Sequence, residues 1–492
     1  MAQETKLRSQ LLATKPLARI LAETDGGTHS LRRTLGPWNL VALGIGAIIG
    51  AGLFSLTGIA AAEHAGPAIA LSFVLAAVAC AFAGFCYSEF ATMIPIAGSA
   101  YTYAYATMGE LVAWIVGWSL VLEYAVGAAT VSISWSAYVV SLLDDLGIEL
   151  PPALVASPWQ PVQLPSGELV HGVVNLPAVL IVVLISALLI VGIKESALVN
   201  AIVVTIKVAV VVVFIAVGAW YVKPANYVPF IPENTGVFGE FGWSGVLRAA
   251  GIIFFAYIGF DAVSTAAQES RHPQKDMPVG IIGSLAICTL LYVAFSVVMT
   301  GLAHYTEFKG AAAPVAVAIA YTPFEWLRPL VKLAIISGFT SVILVMLLGQ
   351  SRVFFSMAHD GLLPATFSQI HHRYRTPYRS NLLLMAGVGA MGAFMPISVV
   401  AQMTSIGTLF AFAIVCAGVP LMRRSHPHAP RPFRTPLVPL LPICGVAVNL
   451  LLMYGLGWPN WIRLLGWLAI GLLIYFAYGR HHSRLGRELA AK

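Results

Sequence analysis

Apolar positions along this chain come in long blocks divided by short polar stretches. Phe73 to Phe85, Val173 to Ile193, Ala201 to Ala219, Leu382 to Met395 and Leu464 to Tyr478 all lie within such blocks. Each block approaches the ~20 residues that a helix needs to cross ~30 Å of hydrocarbon. The pattern predicts an all-α membrane protein with twelve transmembrane helices, over residues 38–62, 67–94, 100–140, 173–192, 198–222, 244–268, 279–303, 331–357, 380–396, 401–421, 436–457 and 462–479. The third run is too long for one crossing and is expected to project beyond the membrane at one end. Residues 1–37 and 480–492 read as polar tails, and the first of these lacks the apolar core of a cleavable signal peptide.

Two of the predicted helices are interrupted. The first reads Gly44-Ile45-Gly46-Ala47-Ile48-Ile49-Gly50-Ala51-Gly52-Leu53-Phe54, with four glycines in nine positions. The sixth reads Gly251-Ile252-Ile253-Phe254-Phe255-Ala256-Tyr257-Ile258-Gly259-Phe260-Asp261. A glycine costs about 1 kcal/mol relative to alanine in a helix interior. Close helix packing is one reading, since Gly46 and Gly50 fit G-x-x-x-G. The other is a substrate site, because interrupted helices at matching positions of two halves mark the binding locus of inverted-repeat carriers. At such a break, freed N–H groups suit a carboxylate and freed carbonyls suit an ammonium. An α-amino acid carries both on one carbon.

Composition narrows the class. Hydrophobic residues make up 59% of the 492 and charged ones only 10%, against about 25% charged in soluble domains. Lipid must therefore be the main solvent. With both termini placed in the cytoplasm, 21 of the 28 Lys and Arg residues fall on the inner side and six on the outer, as the positive-inside rule requires. The remaining one, Lys207, sits in mid-helix. The net charge of +7 then reflects basic loops facing anionic lipid, and no nucleic-acid partner is expected. The five cysteines (Cys80, Cys86, Cys288, Cys416, Cys444) lie in apolar runs without C-x-x-C spacing and read as small buried hydrophobes. His371-His372, His481-His482, His426 and His428 fall in Arg-rich stretches, where solvated loops are the plainer reading than a metal site.

An ordered set of motifs carries a family resemblance from about Leu31 to Arg480. Besides the first glycine run it includes Pro95-Ile96-Ala97-Gly98-Ser99-Ala100-Tyr101 and Phe255-Ala256-Tyr257-Ile258-Gly259-Phe260-Asp261. It continues with Glu269-Ser270-Arg271-His272-Pro273-Gln274-Lys275-Asp276-Met277-Pro278, Ser351-Arg352 and Met357-Ala358-His359-Asp360-Gly361-Leu362-Leu363-Pro364. The chain resembles the amino acid–polyamine–organocation superfamily, most closely its cationic amino acid transporter family. The resemblance implies a LeuT-type fold: residues 38–222 and 244–421 as five-helix inverted repeats, and 436–479 as two accessory helices. It implies that Ile48, Gly50, Ala51 and Gly52 offer backbone to a substrate carboxylate. Phe255, Ala256 and Ile258 would offer carbonyls to its amine, with the Phe255 ring as a gate. Relatives often carry a hydroxyl residue where this chain has Ala51, which keeps the backbone contact and loses a side-chain hydrogen bond.

Ionisable groups at bilayer depth are costly and by default functional. Lys207 lies about nine residues, or ~13 Å, from the cytoplasmic end of its helix. It either snorkels to the headgroups or, as in proton-coupled members that the chain resembles, stands where sodium-coupled relatives of the fold hold their ion. Glu123 and Asp261 read either as structural partners or as groups that pair with Lys207 or carry protons; Asp261 could also hold a cationic substrate side chain. Glu89 reads as a gate or packing partner. The resemblance places Met346 at the side-chain end of the pocket, where its thioether would favour small neutral substrates such as alanine. Core packing is the alternative.

Together these features predict L-amino acid import across the cell membrane by proton symport with alternating access. An exchanger of amino acids or polyamines, and a uniporter of arginine and lysine, remain as alternatives. A membrane enzyme is not expected, because neither H-E-x-x-H nor G-x-S-x-G occurs. A channel is disfavoured, since no pore loop or charged ring is evident; a nutrient receptor would share the motifs. No P-loop occurs, no cofactor or metal is expected, and the expected partners are substrate, protons and membrane lipids.

Overall fold

The structure, a computed structural model, describes residues 10–20, 35–95, 99–163, 169–192, 197–311 and 313–491. Lys6, Arg8, Arg32, Arg33, Lys194, Lys492 and the motif residues Ile96, Ala97 and Gly98 lie outside the described residues.

All twelve hydrophobic segments are helical. Among the described residues, eight helical stretches are long and apolar enough to cross a membrane: Gly52–Met93, Glu110–Asp145, Ala201–Tyr221, Gly242–Thr265, Pro273–Leu302, Leu327–His359, Ile397–Ser425 and Trp458–His482. Pro37–Ile48, Leu176–Val191 and Leu440–Gly455 are shorter apolar helices, and Tyr378–Phe394 fills the ninth segment. The first of the eight joins the second half of segment one to segment two, turning at Gly66 (φ +57°). Among the described residues the architecture is helical apart from one small strand pair, Pro161–Gln163 antiparallel with Leu169–His171, in the loop between segments three and four.

Why apolar residues run all round these helices is visible in segment four. Ile181, Val182, Ile185 and Leu189 are buried, whereas Leu180, Leu184 and Leu188, spaced by four, are exposed. One face packs on protein and the other meets lipid, so both must be apolar. Exposed Trp38, Trp220, Trp243, Trp326 and Trp458 sit at or near helix ends, where indole rings suit the membrane interface.

The long third run is not one continuous helix. It divides at Gly109, whose φ of +100° suits glycine, into a separate helix Ser99–Thr107 and the helix beginning at Glu110. The short helix is tied to the N-terminal segment by Lys15 N–H donating to Tyr105 O at 3.0 Å, and the stretch Glu110–Asp145 still runs to 36 residues.

One end of the bundle holds ion pairs and buried hydrogen bonds that tie the N-terminal segment to the C-terminal one. There Arg19 pairs with Glu488 at 2.7 Å and Lys15 with Asp360 at 2.8 Å. Glu89 accepts two bonds from Arg423 (3.0 and 2.8 Å) and one from Thr435 N–H (2.7 Å), which makes it a packing partner of the loop after segment ten. Glu110, fully buried, accepts from Gln10, Tyr105, Tyr475 and Ser483. Both described termini lie at this end. At the opposite end Lys332 donates to Asp145 at 2.5 Å, and the His64 ring meets Gly239 O at 2.7 Å.

Candidate functional site

Both interrupted segments are broken where the glycines stand. In the first, the helix Pro37–Ile48 stops at Ile49, which is extended (φ −71°, ψ 105°), and helix resumes from Gly52. In the sixth, Gly242–Ile253 tightens through Phe254–Tyr257, Ile258 is extended, and Gly259 takes φ +116° before helix resumes at Ala262. Not every glycine in the runs serves a break. Gly251 lies inside regular helix against Leu456, and Gly44 packs on Ser284.

The breaks face each other. A β-carbon at Gly259 would meet Ala47 O at 2.8 Å, and one at Gly50 would meet Val342 at 3.3 Å. Ile48, Gly50, Ala51, Gly52, Phe255, Ala256 and Ile258 are all buried. The resumed first helix begins with donors on Gly50, Ala51 and Gly52, ahead of Leu53 N–H, which bonds Gly50 O at 3.2 Å. The opening N–H groups of a helix have no partner within it and present partial positive charge. Across from them Phe255 O accepts from Ile258 N–H at 3.2 Å, and Ala256 O from the Tyr292 hydroxyl at 3.0 Å. A β-carbon at Gly52 would meet the Ala256 backbone, so the opening of the resumed helix lies against the second break.

Lys207 does not snorkel. Its side chain is 2% exposed, and its ammonium donates to Gly46 O at 2.7 Å. The break explains this bond, because Gly46 O has lost the N–H that a continuing helix would supply from Gly50. A cation at a helix C-terminus also opposes the negative end of the dipole. The lysine stem lies along Gly338 of segment eight, 3.1 Å from where a β-carbon would be.

Neither acid pairs with Lys207. Among the described residues no ion pair joins them; instead the acids neighbour each other. Asp261 Oδ2 accepts from the Tyr124 hydroxyl at 2.5 Å, while Asp261 Oδ1 and both Glu123 oxygens are buried without a hydrogen bond of normal geometry. Glu123 sits in a widened π-turn, Leu122–Val126, a distortion that recurs at functional sites. Met346 is buried, with its sulfur 3.2 Å from a β-carbon position on Gly127 of segment three. Val342, one turn earlier, would lie 3.3 Å from a β-carbon on Gly50, so segment eight packs on the first break. Among the described residues no group of three or more His, Cys, Asp or Glu could hold a metal ion.

Sequence reasoning missed Tyr124, Tyr292 and Val342. The two tyrosines had a readable signal, since a buried phenol in an apolar helix requires a hydrogen-bond partner. Val342 had none.

A multi-pass helical membrane protein with two broken helices packed break against break, and ionisable groups buried around them, has the form of a solute carrier. The chain belongs to the amino acid permease family, whose model matches residues 35–475. It is 44% identical over 481 residues to the branched-chain amino acid permease of Bacillus subtilis (strain 168), covering 98% of this chain and 100% of that one. It is 41% identical over 479 residues to the methylthioribose transporter of the same organism, covering 97% and 100%. The vacuolar cationic amino acid transporter 4 of Arabidopsis thaliana is 31% identical over 596 residues, covering 98% and 97%. The family resemblance read from the motifs holds, and these relatives are transporters and not enzymes.

Proposed function

We propose that this chain is a secondary active importer of neutral L-amino acids, driven by protons through alternating access. The observation that carries the reading is the meeting of the two breaks, where the N–H end of the resumed first helix lies against the Ala256 backbone at Gly52. That polarity matches a carboxylate and an ammonium on one carbon. In this reading Ile48, Gly50, Ala51, Gly52, Phe255, Ala256 and Ile258 form the backbone cradle and Met346 bounds the side-chain space. A thioether there favours small substrates such as alanine, and the branched-chain permease relatives extend the candidate range to valine, leucine and isoleucine. Lys207 takes the place of a coupling cation between Gly46 and segment eight, and Glu123 with Asp261 handle the proton.

The same reading has all twelve segments crossing the cell membrane, with residues 38–222 and 244–421 as inverted repeats of a LeuT-type fold and 436–479 accessory. Both termini, and the end of the bundle that holds them, are then cytoplasmic. One specific observation favours a second reading: the 41% identical relative named as a methylthioribose transporter, whose namesake substrate has no α-ammonium. Proteoliposome uptake of labelled alanine, leucine, arginine and methylthioribose, with and without an imposed pH gradient, separates the two. Gradient-stimulated uptake of alanine or leucine supports the proposal; uptake of methylthioribose alone overturns it.

A further inference from the structure

Segment seven, Pro273–Leu302, carries a hydroxyl that touches both breaks. Tyr292 Oη stands 2.9 Å from Ile48 O and 3.0 Å from Ala256 O. The side chain is fully buried, its ring tilted against Phe73 and Tyr257 with centroids 5.5 and 5.4 Å away. That packing fixes where the hydroxyl points. A phenol has one proton to give, and both neighbours are carbonyls that can only accept. Both carbonyls lack a helical donor for the same reason. Ile48 is the last residue before the first break, and Ala256 stands just ahead of the second. A buried acceptor left without a donor costs about 1–3 kcal/mol.

We propose that Tyr292 is the positioning residue that lets the carrier close around an unfilled cradle. With no substrate bound, its single proton bridges the two carbonyls and holds the breaks together. A substrate ammonium brings three donors, takes over Ala256 O, and leaves the phenol to Ile48 O alone. The inference rests on the amino-acid reading above and adds a consequence for transport mode. Net uptake needs the carrier to close and return unloaded in every cycle, whereas exchange of internal for external substrate never does. Tyr292 therefore serves net transport and is dispensable for exchange.

The test compares wild type with Y292F, each as the full chain in proteoliposomes, using labelled L-alanine. One assay follows net uptake into vesicles free of amino acid under an imposed pH gradient; the other follows exchange into vesicles preloaded with alanine. In Y292F net uptake is expected to fall roughly tenfold while exchange stays within about twofold, the scale of one unmade buried hydrogen bond. An equal loss in both assays marks a merely structural role and overturns the inference, as does no loss in either. A wild type that exchanges but shows no net uptake overturns it too. If Y292F fails to accumulate, alanine present during expression and purification is expected to restore it, because the ammonium supplies the missing donor; failure of that rescue counts against the proposal. A wild type that moves no amino acid in either assay instead removes the underlying amino-acid reading, so the two failures remain distinct.

Discussion

Gly52 and Ala256 are in backbone contact: a β-carbon built on Gly52 would lie 2.2 Å from the α-carbon of Ala256. No side-chain rotation relieves such a clash, because the atom struck belongs to the main chain. Gly52→Ala must therefore push the two breaks apart. Overpacking of this kind costs about 1–3 kcal/mol, and here it falls on the proposed cradle. Alanine uptake is expected to drop at least roughly tenfold, while size-exclusion profiles of the purified variant stay monodisperse. Undiminished uptake would show that the breaks can separate without loss of function.

Lys207→Met removes the donor to Gly46 O and keeps the length of the side chain. If the ammonium substitutes for a coupling cation, pH-gradient-driven uptake is lost, while equilibrium binding of alanine, read by thermal shift, survives. Retention of gradient-driven uptake would confine Lys207 to capping the first half-helix.

Glu123→Gln keeps the shape of a carboxyl group that has no hydrogen bond of its own in the structure. The expected result is uptake that no longer rises as the external pH falls, with exchange preserved. An unchanged pH profile would transfer proton handling to Asp261, whose bond from Tyr124 Glu123→Gln leaves in place.

Met346→Ser shortens the side chain that packs on Gly127. Competition assays are expected to show larger neutral substrates and arginine gaining against alanine by roughly tenfold, the scale of one or two methylene-sized changes in a pocket. An unaltered ranking would take Met346 out of the pocket.

The breaks were legible in the chain because their cause is local. Gly50 and Gly52 weaken helix wherever they stand, and Gly259 supplies a positive φ that few other residues tolerate. The runs could not say which glycines break a helix and which pack one. Gly44 and Gly251 belong to the second kind only because Ser284 and Leu456 come from distant segments. Lys207 could be singled out by depth, yet its partner depended on Gly46 losing its own helical donor. That Glu123 neighbours Asp261 and not Lys207 lay beyond the sequence for a similar reason. Three residues on three helices have no fixed geometry until those helices pack.

The buried Glu110 carboxylate has a practical corollary. By accepting from Gln10 and Ser483, it holds the N-terminal and C-terminal segments together. Fluorophores attached near Gln10 and Ser483 would start in close proximity, so energy transfer between them would report separation of these segments in real time. Bulky fusion tags at those positions would burden the same movement, which makes a mid-loop insertion the safer handle for purification.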